Sequence, residues 1–176
     1  MKASADATPS DTSLSPPPTT EASQWVVFRL DSERYALPLA AVDRIVRAAH
    51  FTALPLAPAV VLGAIDVGGQ IFPVFNLRHR FGLPERLLDP DDHLLIARTA
   101  QRTVVLVIDA ALEVIERAAA AVIDSDSLVP DLAHIRGIMA LPDGLVLIQD
   151  LEQLLSQDEA SALDQAMGHE GAAHAG

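Results

Sequence analysis

Apolar and polar residues alternate in short runs separated by turn residues, a period-two pattern that predicts a chain built mainly of short β-strands. In residues 25–30, Val26, Phe28 and Leu30 share one strand face; Asp31-Ser32-Glu33 is the turn, and 34–37 the return strand. Pro38 suits the first turn of a short helix running through Val42, and 43–49 reads as a further strand. Pro55 and Pro58 hold 54–58 extended. The most informative stretch is 63–81, GAIDVGGQIFPVFNLRHRF. Gly68-Gly69 between two apolar segments marks a two-residue hairpin, because glycine takes positive φ at both central positions without steric cost. The outgoing strand, 70–75, is apolar on both faces, as suits a strand between two layers. Pro73 lacks an N–H and belongs at an edge or a bulge. Asn76 is placed to cap a short helix, which Gly82 stops.

The same pattern returns at 137–155, GIMALPDGLVLIQDLEQLL. A constant offset of 74 lays Gly63 on Gly137, Ile71 on Leu145, Val74 on Ile148, Asn76 on Asp150, Leu77 on Leu151 and Phe81 on Leu155. Upstream, 26–39 resembles 94–107, with Arg34 and Arg102 each opening a second strand. Self-similarity at this period predicts two small β modules of one design. The boundary between them is expected at 82–92, which carries Pro84, Pro90 and several charges. Residues 94–99 and 103–108 form a hairpin around Ala100-Gln101-Arg102, 112–116 a strand, 118–121 a helix or loop, and 124–131 a polar connector. Ser156 and Glu159 fit a capping box opening a C-terminal helix over 156–167, with Ala162, Leu163, Ala166 and Met167 on one face. The Pro-, Ser- and Thr-rich residues 1–24 are expected to be a disordered tail, and 168–176 another. The ordered domain is then 25–155.

Composition narrows what such a protein does. Half the residues are hydrophobic but only 4% aromatic, so the core is built from aliphatic side chains. A net charge of −12 argues against nucleic acid, whose phosphates need clustered cations, and against anionic membrane surfaces. No apolar run reaches the roughly 18 residues of a membrane span, and the N-terminus lacks the apolar segment of a signal peptide. A soluble cytoplasmic protein is expected. With no cysteine there are no disulfides and no thiolate chemistry.

Reactive groups are scarce. No two of the six histidines have the spacing of a metal motif, so no metal and no cofactor is expected. Asp89, Asp91 and Asp92 lack the glycine and bidentate glutamate of a calcium loop and read as a solvated linker. No serine sits in a nucleophile elbow, and the glycines form no phosphate loop. The residues therefore predict a binding protein and not an enzyme.

The chain resembles the CheW-like coupling proteins of bacterial chemosensory systems. The matching residues are 26–30 (VVFRL), 35–38 (YALP) with Val42, 63–65 (GAI), 69–78 (GQIFPVFNLR), 104–109, 137–138 and 147–151 (LIQDL). The resemblance implies a mainly β fold: two SH3-like five-stranded β-barrels around a shared core, with short helices and the C-terminal helix. It implies a non-catalytic adaptor that couples the cytoplasmic hairpin of chemoreceptors to a CheA-type histidine kinase, meeting the membrane only through the receptors. Carried over by position, the receptor-facing groove would include Val42, Arg44, Gly63, Gly68 and Val114; no kinase-binding residue is assigned. Where the family has Asn-Leu-Arg-Gly this chain reads Asp66-Val67-Gly68-Gly69. The motif arginine is missing, and Arg44 is a candidate substitute from a neighbouring strand. An adaptor for a non-flagellar system (surface motility or a second messenger) and a small-molecule-binding sensory β-barrel are the alternatives.

Overall fold

The computed structural model describes residues 22–124 and 134–173. Four hairpins dominate it. In the first, β1 (Ala22–Leu30) and β2 (Glu33–Pro38) meet at Asp31, which turns in the left-handed region at φ 57°. Aspartate tolerates that conformation better than most residues. In the second, β4 (Val61–Val67) and β5 (Gln70–Phe75) meet at Gly68 and Gly69, with φ of 65° and 85° as the two-residue turn requires. The third joins β6 (His93–Arg98) to β7 (Thr103–Ile108), and the fourth β10 (Ile135–Leu141) to β11 (Gly144–Gln149).

Shorter pieces link them. A 3-10 turn (Leu39–Ala41) leads into β3 (Val42–Arg47), and another (Ala119–Ala121) separates β8 (Ala110–Ala118) from β9 (Val122–Asp124). Helix α1 (Leu77–Arg80) follows β5; the Asn76 side chain accepts the His79 N–H at 3.3 Å. Asp150 does the same for Glu152 at 3.0 Å ahead of a 3-10 turn, Leu151–Gln153. Before α2 (Gln157–Ala173) the capping box forms reciprocally: Glu159 N–H donates to Ser156 Oγ, and Ser156 N–H to Glu159 Oε2.

The strands form two sheets, ordered β8-β1-β2-β11-β10-β9 and β3-β6-β7-β5-β4. All pairings are antiparallel except two parallel joints, β2 with β11 and β5 with β7. Val74 pairs with Val105 in one joint and Ile148 with Ala36 in the other, so the offset of 74 reappears as equivalent register. The bulges match as well, Val61/Gly63 in β4 and Ile135/Gly137 in β10.

The boundary expected at 82–92 does not divide the lobes. That segment connects β5 and α1 to β6, all on the second lobe, while each sheet takes one hairpin from the first half of the chain and one from the second. The repeated modules have exchanged hairpins, because the parallel joint buries an apolar strand edge that a hairpin on its own leaves open. Other expectations shift in smaller ways. Strand β1 begins at Ala22, inside the expected tail, because it must run the length of β8, with which it pairs from Ala22–Ala118 to Arg29–Ala110. The helix expected from Pro38 to Val42 is one 3-10 turn, and α2 continues past 167. Pro73 lies in a central strand, just before the Val74–Val105 pair where β7 joins β5. Most of the 124–131 connector, the tail up to 21 and residues 174–176 lie outside the described residues.

Alternation on the strands feeds three cores. Val26, Phe28, Leu30, Tyr35, Leu37, Leu95, Leu106 and Ile108 point into one shared between the lobes, which α2 closes with Leu163. Trp25, Val27, Ala36, Met139, Val146 and Ile148 fill the first lobe; Ile65, Val74, Leu94, Ile96 and Val105 fill the second. Burying one such large aliphatic or aromatic side chain stabilises by about 1.5–3 kcal/mol. Both lobes also rest on a close approach. A Cβ on Gly63 would lie 2.1 Å from the Thr52 carbonyl oxygen, and one on Gly137 2.6 Å from that of Ile123.

Two outcomes follow from this packing. Cut between residues 86 and 87, the chain should yield halves that lack β structure alone and regain it when mixed, read by far-ultraviolet circular dichroism; a half that folds by itself would contradict the exchange. Gly63→Ala should destabilise by about 2–3 kcal/mol, since the clash is with backbone, whereas Gly168→Ala, in the open on α2, should stabilise by up to ~1 kcal/mol. Urea denaturation of both variants measures the difference in sign.

Candidate functional site

The lobes are clasped by a cluster of charges that no local pattern announces. Arg78 on α1, only 8% exposed, donates to Asp109 at 2.5 Å, to Asp31 at 3.4 Å and to the Pro84 carbonyl at 3.1 Å. Arg86 bridges Asp92 and the second oxygen of Asp109, at 2.5 and 2.8 Å. The Asp31 N–H closes the ring onto Asp109 at 2.7 Å. The cluster thus ties the β1–β2 turn of one lobe to α1 and the 82–92 segment of the other. Asp92, expected in a solvated linker, is 2% exposed: Arg86 grips both its oxygens, and the Asp89 N–H donates to it. Burial pushes the Asp109 carboxyl up, but hydrogen bonds from Arg78 and the Asp31 N–H, with the charges of Arg78 and Arg86, hold it below the ordinary aspartate value.

Of the five residues assigned by resemblance, four fall on three edge strands, β3, β4 and β8, and Gly68 lies in the β4–β5 turn. Val42 opens β3, half-buried against the shared core. Val114 on β8 is 55% exposed and lies opposite Val26, itself in the shared core. Cross-strand partners project on the same face, so Val42 and Val114 both border the seam between the lobes. A cavity of about 590 Å³ opens beside them, lined by Gln24, Leu39, Ala40 and Glu116 among others. Gln24 and Glu116 are themselves cross-strand partners, two positions along from Val26 and Val114 and so on the same face. Leu39 and Ala40 belong to the 3-10 turn that delivers Val42.

The other three residues play different parts. Gly63 is buried, its Cα covered by Thr52, and presents no open surface. Gly68 is exposed in the β4–β5 turn. Arg44 is half exposed beside Asp43 at the open end of the second lobe, where Gln70, next to that turn, also stands. The structure therefore brings Val42 to the same seam as Val114 and Arg44 to the same mouth as the β4–β5 turn, but it does not gather all five. Two further exposed apolar residues, Ile71 (50%) and Leu145 (61%), occupy equivalent places in the two lobes.

Among the described residues no three His, Asp or Glu side chains converge as a metal site. His79 pairs with Glu85, and the His134 ring contacts the Gln153 carbonyl.

A family model for the CheW-like domain matches residues 24–159. The chain is 29% identical to the chemotaxis protein CheW of Helicobacter pylori, over 78% of this chain and 84% of that protein. It is 28% identical to the probable chemotaxis protein CheW of Rhizobium etli, over 79% and 91%. The crystal structure of the scaffolding protein TtCheW from Thermoanaerobacter tengcongensis superposes with a TM-score of 0.72 at 28% identity, covering 78% of this chain and 95% of that one. The fold of two SH3-like lobes agrees with that likeness.

The clasp gives a signed pH effect. A carboxylate whose folded pKa is depressed contributes stability above its unfolded value, lost as pH falls through the folded one. Asp109→Asn should therefore cost about 3 kcal/mol at pH 7 by leaving the buried Arg78 with only its longer contact to the Asp31 carboxylate. Its gap from the wild type should narrow as pH falls below ~4, where the unfolded aspartate takes up its proton. Urea titrations at pH 7 and pH 3 check both parts.

Proposed function

The chain belongs to the CheW-like family, and we propose that it is a cytoplasmic adaptor coupling chemoreceptor hairpins to a CheA-type histidine kinase in a chemosensory array. It is not an enzyme; members of this family are scaffolds. The observation that carries the finer reading is the seam between the lobes, where exposed Val114 and half-buried Val42 lie two residues from Glu116 and Ala40 in the lining of an open cavity. An amphipathic helical hairpin presents apolar side chains at i, i+3 and i+4, and such a ridge suits a groove of this kind. The backbone beneath is stiff: β1 and β8 are paired at eight register positions and β3 is anchored on β6, so the groove is ready-made and little ordering cost falls on this partner.

A second partner needs a second surface. Ile71 and Leu145, exposed at the hairpin ends of the two lobes, take no part in lining the seam cavity and remain available to the kinase. Each contact is expected to be modest, roughly 800 Å² per partner or less, with repetition across an array adding avidity. No helix among the described residues is long and apolar enough to cross a membrane. On this reading the protein reaches the membrane only through receptors.

Co-sedimentation with the cytoplasmic receptor fragment and kinase of the same organism should give a ternary complex. Val114→Asp should weaken receptor binding about tenfold or more, because a charge would enter the apolar contact. The melting temperature should stay near the wild type's, since the side chain is exposed. Failure of the wild-type protein to bind either partner would end the adaptor reading.

A further inference from the structure

The open end of the second lobe carries chemistry that the seam does not. Three strands step from the lobe's own core to a polar rim in the same two-residue stride: Ile96 to Arg98 on β6, Val105 to Thr103 on β7, and Phe72 to Gln70 on β5. Side chains two apart in a strand share a face, so Arg98, Thr103 and Gln70 ring a mouth floored by Ile96 and Phe72. Arg44 arrives from β3, where it is the register partner of Ile96. The cavity so formed measures about 260 Å³.

Its charge is unusual for this chain. Arg98 donates to Asp43 at 3.2 Å, and Arg44 approaches the other oxygen of the same carboxylate at 3.7 Å. Two guanidinium groups thus share one carboxylate. In every other ion-pair cluster among the described residues, carboxylates equal or outnumber arginines, and the protein as a whole carries −12. Asp66, on the neighbouring hairpin, is turned to its own backbone and accepts the Gly69 N–H at 2.8 Å. A guanidinium has five donors in a planar fork. The Arg44 side chain makes no hydrogen bond within the described residues and that of Arg98 makes one. Most of these donors face open solvent, with the side chains 54% and 64% exposed.

We propose that this mouth is a carboxylate-binding site, in which Arg44 and Arg98 receive an acidic side chain of the protein partner. The proposal rests on the adaptor reading and adds to it a polar anchor apart from the apolar seam. Size favours a side chain over a metabolite, since small-molecule pockets run from about 300 to 1,000 Å³. The fork geometry favours carboxylate, which guanidinium binds in two parallel hydrogen bonds. Asp43 holds the arginines in place when the mouth is empty and competes with the incoming group.

That competition supplies a test that a purely structural role would not pass. Calorimetric titration of the full-length protein with the receptor cytoplasmic fragment, and separately with the kinase, from the same organism would compare the wild type with Arg44→Glu, Arg98→Glu and Asp43→Asn. For one of the two partners, each charge reversal should weaken binding tenfold or more and flatten its dependence on salt. Asp43→Asn should tighten the same interaction severalfold by releasing both arginines. Unchanged circular dichroism and melting of the variants would show that folding is intact. If the wild type binds and all three variants bind within twofold of it, the anchor is wrong and the adaptor reading survives. If the wild type binds neither partner, both fall. Stoichiometric binding of sodium glutamate or phosphate that is lost in Arg44→Glu, with partner binding unchanged, would assign the mouth to free anions and overturn the proposal.

Discussion

Strands buried on both faces are the constraint from which the rest of this molecule follows. Val27 points into the first lobe while Val26 and Phe28 point into the shared core; Val105 and Leu106 divide the second lobe and the shared core in the same way. A strand with two apolar faces needs a layer on each side and a neighbour along each edge. The parallel joints at Ile148–Ala36 and Val74–Val105 supply the second neighbour. Each joint links one half of the chain to the other, so neither lobe completes its sheet from contiguous sequence. The shared core is then a consequence: two sheets that each carry an apolar outer face have only one another, and α2, to cover it.

Electrostatics follows the same logic of shared parts. Arg78 and Arg86 are spent inside the molecule, on Asp31, Asp92 and Asp109, and Arg80 and Arg102 hold α2 through Glu159 and Asp164. Cations used internally leave an outer surface dominated by carboxylates. Against that background the apolar seam at Val114 and the arginine pair at the second mouth stand out by contrast. The Arg80–Glu159 contact also does double duty, since Glu159 belongs to the capping box that starts α2. Burial pushes that carboxyl up, while the Ser156 N–H and Arg80 together hold it below the ordinary glutamate value.

Much of the local architecture can be read directly from residues. Gly68-Gly69, the Asn76 and Asp150 caps, the Ser156–Glu159 box and the alternation through Val26, Phe28 and Leu30 each obey a rule spanning a few positions, and each appears in the structure. The repeat is legible for the same reason. The exchange of hairpins is not, because an apolar strand such as 70–75 offers the same faces and edges to either partner; only three-dimensional closure selects β7 over β2. Nor is the clasp legible. Arg78 and Asp109 lie far apart in sequence, and Asp92 sits in a polar segment whose composition gives no sign of burial. Of the candidate site, Val42 and Val114 show their common position only once β3 and β8 flank the seam, and Gly63 proves to be a packing residue against Thr52. Arg98 reads in sequence only as the end of an ordinary strand.

The exchanged hairpins have a consequence for how such a chain could arise. A polypeptide carrying a single copy of the module would hold half of each sheet and would have to find the rest in a twin, as an obligate pair related by a twofold axis. The present chain is equivalent to that pair with one covalent join, made at 82–92 and held down by Arg86 and Asp92. Fusion frees the two sides from identity. Phe75 and Gln149, equivalent by the repeat, are now an aromatic ring in the shared core and a buried amide whose polar atoms find no partner among the described residues. A symmetric pair would have had to accept that mismatch twice, whereas the joined chain carries it once and can give its two flanks different tasks.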